Sequence, residues 1–153
     1  MALILHPTAN ARVLSALANS HEPVLAAPDI GNDPYYQRGC HPEIVERIWD
    51  QIGAAYPSES RCLIYGRPSL VDPASGVVVA LGYGTAYCVR IPVTVIPQAI
   101  TLGANLSMKW TGGTSTDIQA ELGEDWVFGA WLAQEIAWTQ AVCAAISKNN
   151  SGN

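Results

Sequence analysis

The stretch of residues 61–91, RCLIYGRPSLVDPASGVVVALGYGTAYCVRI, constrains the fold more than any other part of the chain. Short apolar runs, many of them β-branched, alternate there with turn-forming residues. The turns are at 72–76 and 82–84, where proline fixes φ or glycine accepts a positive φ. Strands joined by connections this short must be antiparallel, since a parallel crossover needs about a dozen residues. The stretch therefore predicts a β-hairpin or a small meander.

The final run of this stretch has the two-residue period of a strand, in which successive side chains point to opposite faces of the sheet. Tyr87, Val89 and Ile91 are predicted on one face, and Ala86, Cys88 and Arg90 on the other. In the later strand 126–131, Trp126 and Trp131 are separated by an odd number of positions. One of these two tryptophans is therefore expected in the core, and the other is expected to point to a second layer or to a partner.

The clearest helix is 42–55, and Pro42 opens it because proline is favoured at the first helical position. Arg47 belongs to the polar face of this helix, with Glu43 as its i,i+4 partner. The stretch 92–103 is compatible with a strand or with a short helix from Pro97, and we favour the helix. Further helices are predicted at 8–18 and 133–147, and further strands at 106–110, 114–118 and 126–131.

These elements predict an α+β fold. We expect one domain, 1–147, followed by a disordered tail, 148–153. The sheet is expected to be mostly antiparallel with five to seven strands, and about three helices should pack mainly on one of its faces. The window 126–146 is apolar enough to raise a membrane span, but Gln134, Glu135 and Gln140 lie in its middle. A buried helix, or one shared across a dimer interface, is predicted instead.

Composition restricts the partners. The chain of 153 residues is 49% hydrophobic and only 14% charged, with a net charge of −5. These values argue against disorder, and the negative charge argues against nucleic acid and anionic membranes as partners. The low charge fraction indicates that a partner covers part of the surface, most simply a second copy of the chain. We therefore expect a homo-oligomer, with a small anionic ligand or another protein as further partners.

Cysteine usage and the N-terminal residues bear on location and on metals. The four cysteines, Cys40, Cys62, Cys88 and Cys143, are scattered and form no C-x-x-C pair. No zinc site and no cofactor are therefore predicted. Cys62, Cys88 and Cys143 are expected to be small buried hydrophobes. Residues 1–5 contain no basic residue, as a secretory signal would, so we expect a reducing, cytoplasmic setting.

Cys40 and His41 are the strongest catalytic candidates, because they come just before the helix that Pro42 opens. A helix dipole and a neighbouring imidazole can lower the pKa of a thiol into a reactive range. A simpler interpretation is that His41 caps the helix. Five further residues are candidates for binding: Tyr35, Tyr36, Arg38, Arg67 and Arg90. The tyrosines would form an aromatic contact patch, and the arginines would hold a carboxylate or phosphate, or pair with acidic side chains.

Two classes of function follow. The first is a non-enzymatic binding or assembly protein that acts as a homo-oligomer. The second is a small hydrolase or transferase that uses Cys40 and His41 beside an arginine-lined pocket. The chain contains no Ser-His-Asp order, Walker loop or H-E-x-x-H motif, and this favours the first class.

Overall fold

The computed structural model describes residues 4–20, 23–26 and 41–151. Its main sheet has six strands in the order β1-β2-β3-β4-β5-β8, and every neighbouring pair is antiparallel. These strands are β1 (Leu25–Ala26), β2 (Arg61–Ile64), β3 (Arg67–Asp72), β4 (Val77–Tyr83), β5 (Ala86–Arg90) and β8 (Trp126–Phe128). A separate hairpin pairs β6 (Ser107–Lys109) with β7 (Ser115–Asp117). The predicted α+β class, the antiparallel meander and the number of strands are confirmed.

The hairpin loops account for the turn residues of the meander. Tyr65 and Gly66 join β2 to β3 with positive φ values of 47° and 80°, as a two-residue type I′ turn requires. Between β3 and β4, the Gly76 N–H donates to the Asp72 carbonyl at 2.7 Å. Gly84, at φ 61°, begins the two-residue loop between β4 and β5. Local sequence therefore determines all three connections.

The helices cover both faces of the sheet. The helices and single helical turns are α1 (Ala11–Leu17), α2 (Pro42–Glu46), a π turn (Arg47–Gln51), 3-10 turns (Ile52–Ala55, Ser58–Ser60 and Val93–Val95), α3 (Ile96–Thr101), α4 (Ile118–Leu122) and α5 (Gln134–Ser151). The segments 42–55 and α5 contribute side chains to the core on the Tyr87 face, while α1 and α4 contribute to the core on the Cys88 face. Two of the three main predicted helices therefore share one face, and α1 packs on the other.

The predicted helix 42–55 is continuous, but its winding changes along its length. After α2, a π turn at Arg47–Gln51 is followed by a 3-10 turn at Ile52–Ala55. Arg47 is buried here, whereas the helical period predicts it on the exposed face. It forms an ion pair with Glu135 of α5 rather than with Glu43. Our assignment of Arg47 was therefore wrong, because a periodicity argument cannot include a counter-charge that tertiary packing supplies.

The rest of the chain follows the predicted elements, except that β1 and α4 were not predicted and that β8 and α5 differ in extent. The stretch 92–103 is helical, as α3 and the 3-10 turn before it show. Strand β8 ends at Phe128, before Trp131. Helix α5 runs to Ser151 and thus enters the predicted disordered tail, with Lys148 in its last turn, where the helix dipole favours a cation. Among the described residues, no helix is long and apolar enough to cross a membrane.

Candidate functional site

The predicted site residues do not come together in one place. Tyr35, Tyr36, Arg38 and Cys40 lie outside the described residues. His41 is the N-cap of α2, where its Nδ1 accepts a hydrogen bond from the Glu43 N–H at 3.1 Å. This geometry matches the simpler interpretation of the Cys40-His41 pair, in which the imidazole caps the helix.

Arg67 and Arg90 lie at opposite ends of the sheet. Arg67 begins β3, where its Nη1 is 3.5 Å from the Gly82 carbonyl and its guanidinium lies 5.1 Å from the centre of the Tyr83 ring. Tyr83 pairs with Ala86 at the start of β5, whereas Arg90 is at the end of that strand. Along the strand direction the length of β5 separates the two positions by about 13 Å, and β4 lies between their strands. The two arginines therefore belong to different surroundings and form no common pocket.

A buried polar cluster on the Tyr87 face of the sheet joins Arg47, Tyr87 and Glu135. Arg47 Nη2 lies 2.5 Å from Glu135 Oε2, and the Tyr87 hydroxyl donates to the same oxygen at 2.6 Å. Arg47 Nε in turn donates to the Tyr87 hydroxyl at 3.3 Å. The three side chains come from the π turn, β5 and α5, so the cluster links three separate elements. We call it the Arg47 network.

The Arg47 network also holds the chain between β8 and α5. The Trp131 N–H donates to the Tyr87 hydroxyl at 2.5 Å, and the Ala130 N–H donates to Glu135 Oε1. The Leu132 carbonyl accepts from Arg47 Nη2 at 2.5 Å. Three consecutive residues of a connection are therefore held by buried side chains.

The electrostatics of the Arg47 network keep Arg47 and Tyr87 in fixed protonation states. Burial, followed by the nearby Glu135 carboxylate, raises the pKa of Tyr87 far above its usual value. Burial alone would lower the pKa of Arg47, but hydrogen bonds to Glu135 and Tyr87 outweigh this effect and raise it. Tyr87 therefore stays a neutral phenol and Arg47 stays charged. Groups held in this way orient their neighbours and do not exchange protons at neutral pH.

Trp131 has an unusual backbone conformation for a large side chain. Its φ is 61°, in the left-handed region, which costs a non-glycine residue about 1–2 kcal/mol. Tyr65 also has a positive φ, but a hairpin turn explains it. The Trp131 ring packs edge-on against Tyr87 at 5.0 Å and lies 5.6 Å from the Arg47 guanidinium. Although held in this way, its side chain is 47% exposed.

A small pocket opens beside this tryptophan. Its volume is about 160 Å³, and it lies where β8 ends and β5 begins. Its main lining residues are Ile44, Tyr87, Asn105, Met108, Phe128 and Trp131. Most of the lining residues are aromatic or aliphatic, and Thr85 and Asn105 are the polar residues among them. We call this cavity the Trp131 pocket. The odd spacing of Trp126 and Trp131 had predicted one core and one outward tryptophan, and Trp126 is indeed fully buried.

The Arg47 network was not predicted from the sequence, although two features pointed to it. Glu135 is an acidic residue inside a strongly apolar window, and such a residue needs a partner when it is buried. Arg47 lies two positions after Val45 and one before Ile48, so it borders the apolar stripe of its helix. Neither feature identifies the partner, because the two residues are 88 positions apart.

The described cysteines are inert by position. Cys62, Cys88 and Cys143 are free and buried, as predicted. Burial raises the pKa of Cys62 and Cys143 to about 12, and that of Cys88 well above its usual value. In a Cys40→Ser variant we therefore expect no fast thiol labelling at neutral pH in the native state, and labelling of all three remaining thiols after denaturation. Fast labelling of the native variant would contradict this burial.

The same reagent tests Cys40 in the unmodified protein. Any thiol that reacts there before denaturation is then Cys40. A rate well above that of a model thiol would support the enzyme alternative, and an ordinary rate would remove it.

Two further searches concern metal ligands and similarity to known proteins. Among residues 4–20, 23–26 and 41–151, no three His, Cys, Asp or Glu side chains are grouped to hold a metal ion. Comparison with protein-family models, curated proteins and solved structures found no match to this chain.

Proposed function

We propose that this protein is a non-enzymatic binding protein, and that the Trp131 pocket holds one apolar side chain of a protein partner. The observation that carries the proposal is the conformation of Trp131, a half-exposed aromatic residue in the left-handed region. Backbone strain of this kind persists only where the surrounding structure determines it, and it concentrates at binding sites. Tryptophan and tyrosine are also the residues most enriched among the energetic centres of protein interfaces.

The size of the Trp131 pocket favours a side chain over a free metabolite. Small-molecule sites usually enclose about 300–1,000 Å³. A volume of about 160 Å³ is half of the lower limit, but it accommodates one leucine-sized or phenylalanine-sized group. A partner that inserts a single anchor residue would cover the exposed face of Trp131 at the same time.

The Arg47 network supplies the rigidity that such a site needs. Binding costs less when the contact residues already have their bound conformation. Here the Trp131 N–H donates to the Tyr87 hydroxyl, and the Leu132 carbonyl accepts from Arg47. Of the three side chains of the network, Tyr87 lines the pocket, while Arg47 and Glu135 hold its wall from behind.

The partner that we propose is a second copy of the chain. Only 14% of its residues are charged, and Ile100 and Leu102 add exposed apolar area on the segment that leads to Gly103. Gly103 approaches the Trp131 connection, because a Cβ placed there would lie 3.7 Å from Ala130 Cβ. The segment 100–103 and the connection that contains Trp131 therefore both offer apolar surface, as an isologous interface would need.

Light scattering coupled to size exclusion tests this proposal. We expect a dimer for the unmodified protein and a shift to monomer for Trp131→Ala. Val93→Ala is the matched control, since Val93 is 49% exposed at a different surface, and its mass should not change. A strictly monomeric protein at high concentration would remove the homo-oligomer. A dimer that survives Trp131→Ala would instead contradict the use of this pocket.

A further inference from the structure

A second cleft lies on the opposite face of the sheet, between α1, α4 and the turn that precedes β8. Its volume is about 490 Å³, within the range of small-molecule sites. Four charged side chains line it: Arg12, Arg90, Glu124 and Asp125. Val93 and Leu122 contribute apolar wall. This cleft shares no residue with the Trp131 pocket.

Arg90 is the most unusual group of this cleft. It is only 4% exposed, and its Nε donates to the Val78 carbonyl at 2.8 Å. Its Nη1 donates to the Ala9 carbonyl at 3.2 Å and to Asp125 Oδ2 at 3.3 Å. Its Nη2 is also buried, yet it has no hydrogen-bond partner in the part of the chain that the structure describes. Buried charged donors are normally paired, because an unpaired one costs more than an ordinary lost hydrogen bond.

The charges of the cleft restrict what can bind there. Arg12 is exposed, and one of its guanidinium N–H groups donates to the Ala120 carbonyl. Glu124 is exposed, and Asp125 is half-buried beside Arg90. A ligand with only a negative charge would meet two carboxylates, and one with only a positive charge would meet two arginines. A ligand that carries both charges matches the two positive and two negative side chains.

We propose that this cleft binds a free α-amino acid with an apolar side chain. Its carboxylate would lie against Arg12 and against the part of Arg90 that lines the cleft. Its ammonium group would lie against Glu124 and Asp125, and its side chain against Val93 and Leu122. This site goes beyond the proposed protein-binding function and does not depend on it.

Titration of the ¹⁵N-labelled protein with three related compounds tests the proposal by NMR. L-leucine carries both charges, N-acetyl-L-leucine only the negative one, and L-leucinamide only the positive one. We expect L-leucine to shift the amide signals of 119–125 in a saturable manner. Each single-charge analogue should bind at least about tenfold more weakly, since a charge-assisted hydrogen bond is lost. No shift with L-leucine, or equal binding of either analogue, would overturn the proposal.

Surface variants keep the test independent of folding, because Arg90 itself is buried and supports the core. Arg12→Gln and Glu124→Gln are expected to raise the Kd for L-leucine by about threefold or more, as exposed charges contribute modestly. Lys109→Gln and Glu59→Gln remove one exposed charge of each sign outside the lining of the cleft and should leave the Kd unchanged. Unchanged binding in both cleft variants would place any leucine site elsewhere and contradict the proposal.

Discussion

Replacing Glu135 with alanine is expected to lower the free energy of unfolding by roughly 3–5 kcal/mol, because Arg47 would stay buried without its counter-charge. Glu135 is 1% exposed, and its Oε2 is 2.5 Å from Arg47 Nη2. The substitution also removes the acceptor of the Tyr87 hydroxyl and of the Ala130 N–H. Urea denaturation followed by circular dichroism measures the loss. A change below about 1 kcal/mol would mean that the ion pair contributes no more than an exposed one.

A double-mutant cycle separates the ion pair from the packing around it. Arg47→Met and Glu135→Leu each leave one buried charge unpaired, whereas the double variant leaves none. We expect the double variant to be much more stable than the sum of the single changes predicts, as for other buried pairs that apolar residues replace. Additive losses would contradict this interpretation.

A surface pair provides the control for this cycle. Arg61 and Asp50 lie 3.6 Å apart with 36% and 37% of their side chains exposed. Asp50→Asn should therefore cost less than about 1 kcal/mol.

Replacing Gly129 with alanine is expected to destabilise the protein by about 3 kcal/mol, because the added methyl group has no space. A Cβ at Gly129 would overlap Cε2 and Cζ of the Tyr87 ring and lie 2.6 Å from its hydroxyl oxygen. Tyr87 is buried and its hydroxyl contacts both Glu135 and Trp131, so the ring cannot move without breaking the Arg47 network. Thermal and urea unfolding measure the loss.

Gly113→Ala is the matched control for this steric effect. Gly113 has a φ of 86°, but a Cβ there would meet no atom within 4 Å. Its substitution should cost only the backbone strain, about 1 kcal/mol. Equal losses for the two variants would show that the contact with Tyr87 relaxes at little cost, and that the Arg47 network is less rigid than we infer. A larger loss at Gly129, together with altered tryptophan fluorescence, would support the coupling between Tyr87 and Trp131.

Local features of the chain predicted most of the fold. The turn residues at 72–76 and the alternation at 86–91 depend on neighbours along the chain, and the structure confirms both. The helix from Pro42 was also predictable, because capping and proline preference are local effects. The apolar run of β4 is continuous because this strand is buried on both faces and therefore needs no alternation of polar residues.

The candidate sites were less predictable, because each of them depends on contacts between residues that are far apart in the sequence. Arg67 and Arg90 were grouped because both are near the meander, but strand register places them at opposite ends of the sheet. Arg47 was assigned to the polar face because the helical period places it opposite the apolar stripe. Trp131 was assigned to a strand, although β8 ends at Phe128 and the next residues follow buried side chains instead.

The antiparallel meander of 61–91, its turns and the positions of the three main helices follow from the order of residues along the chain, because backbone preferences and hydrophobic period act between near neighbours. Which charges are buried, which are paired and which tryptophan is exposed depend instead on contacts between residues far apart in the sequence. Burial of Arg47 depends on Glu135 in a distant helix, and the conformation of Trp131 depends on Tyr87 in a distant strand. A charge is stable in a protein interior only with its partner in place, and the chain brings such partners together only by folding.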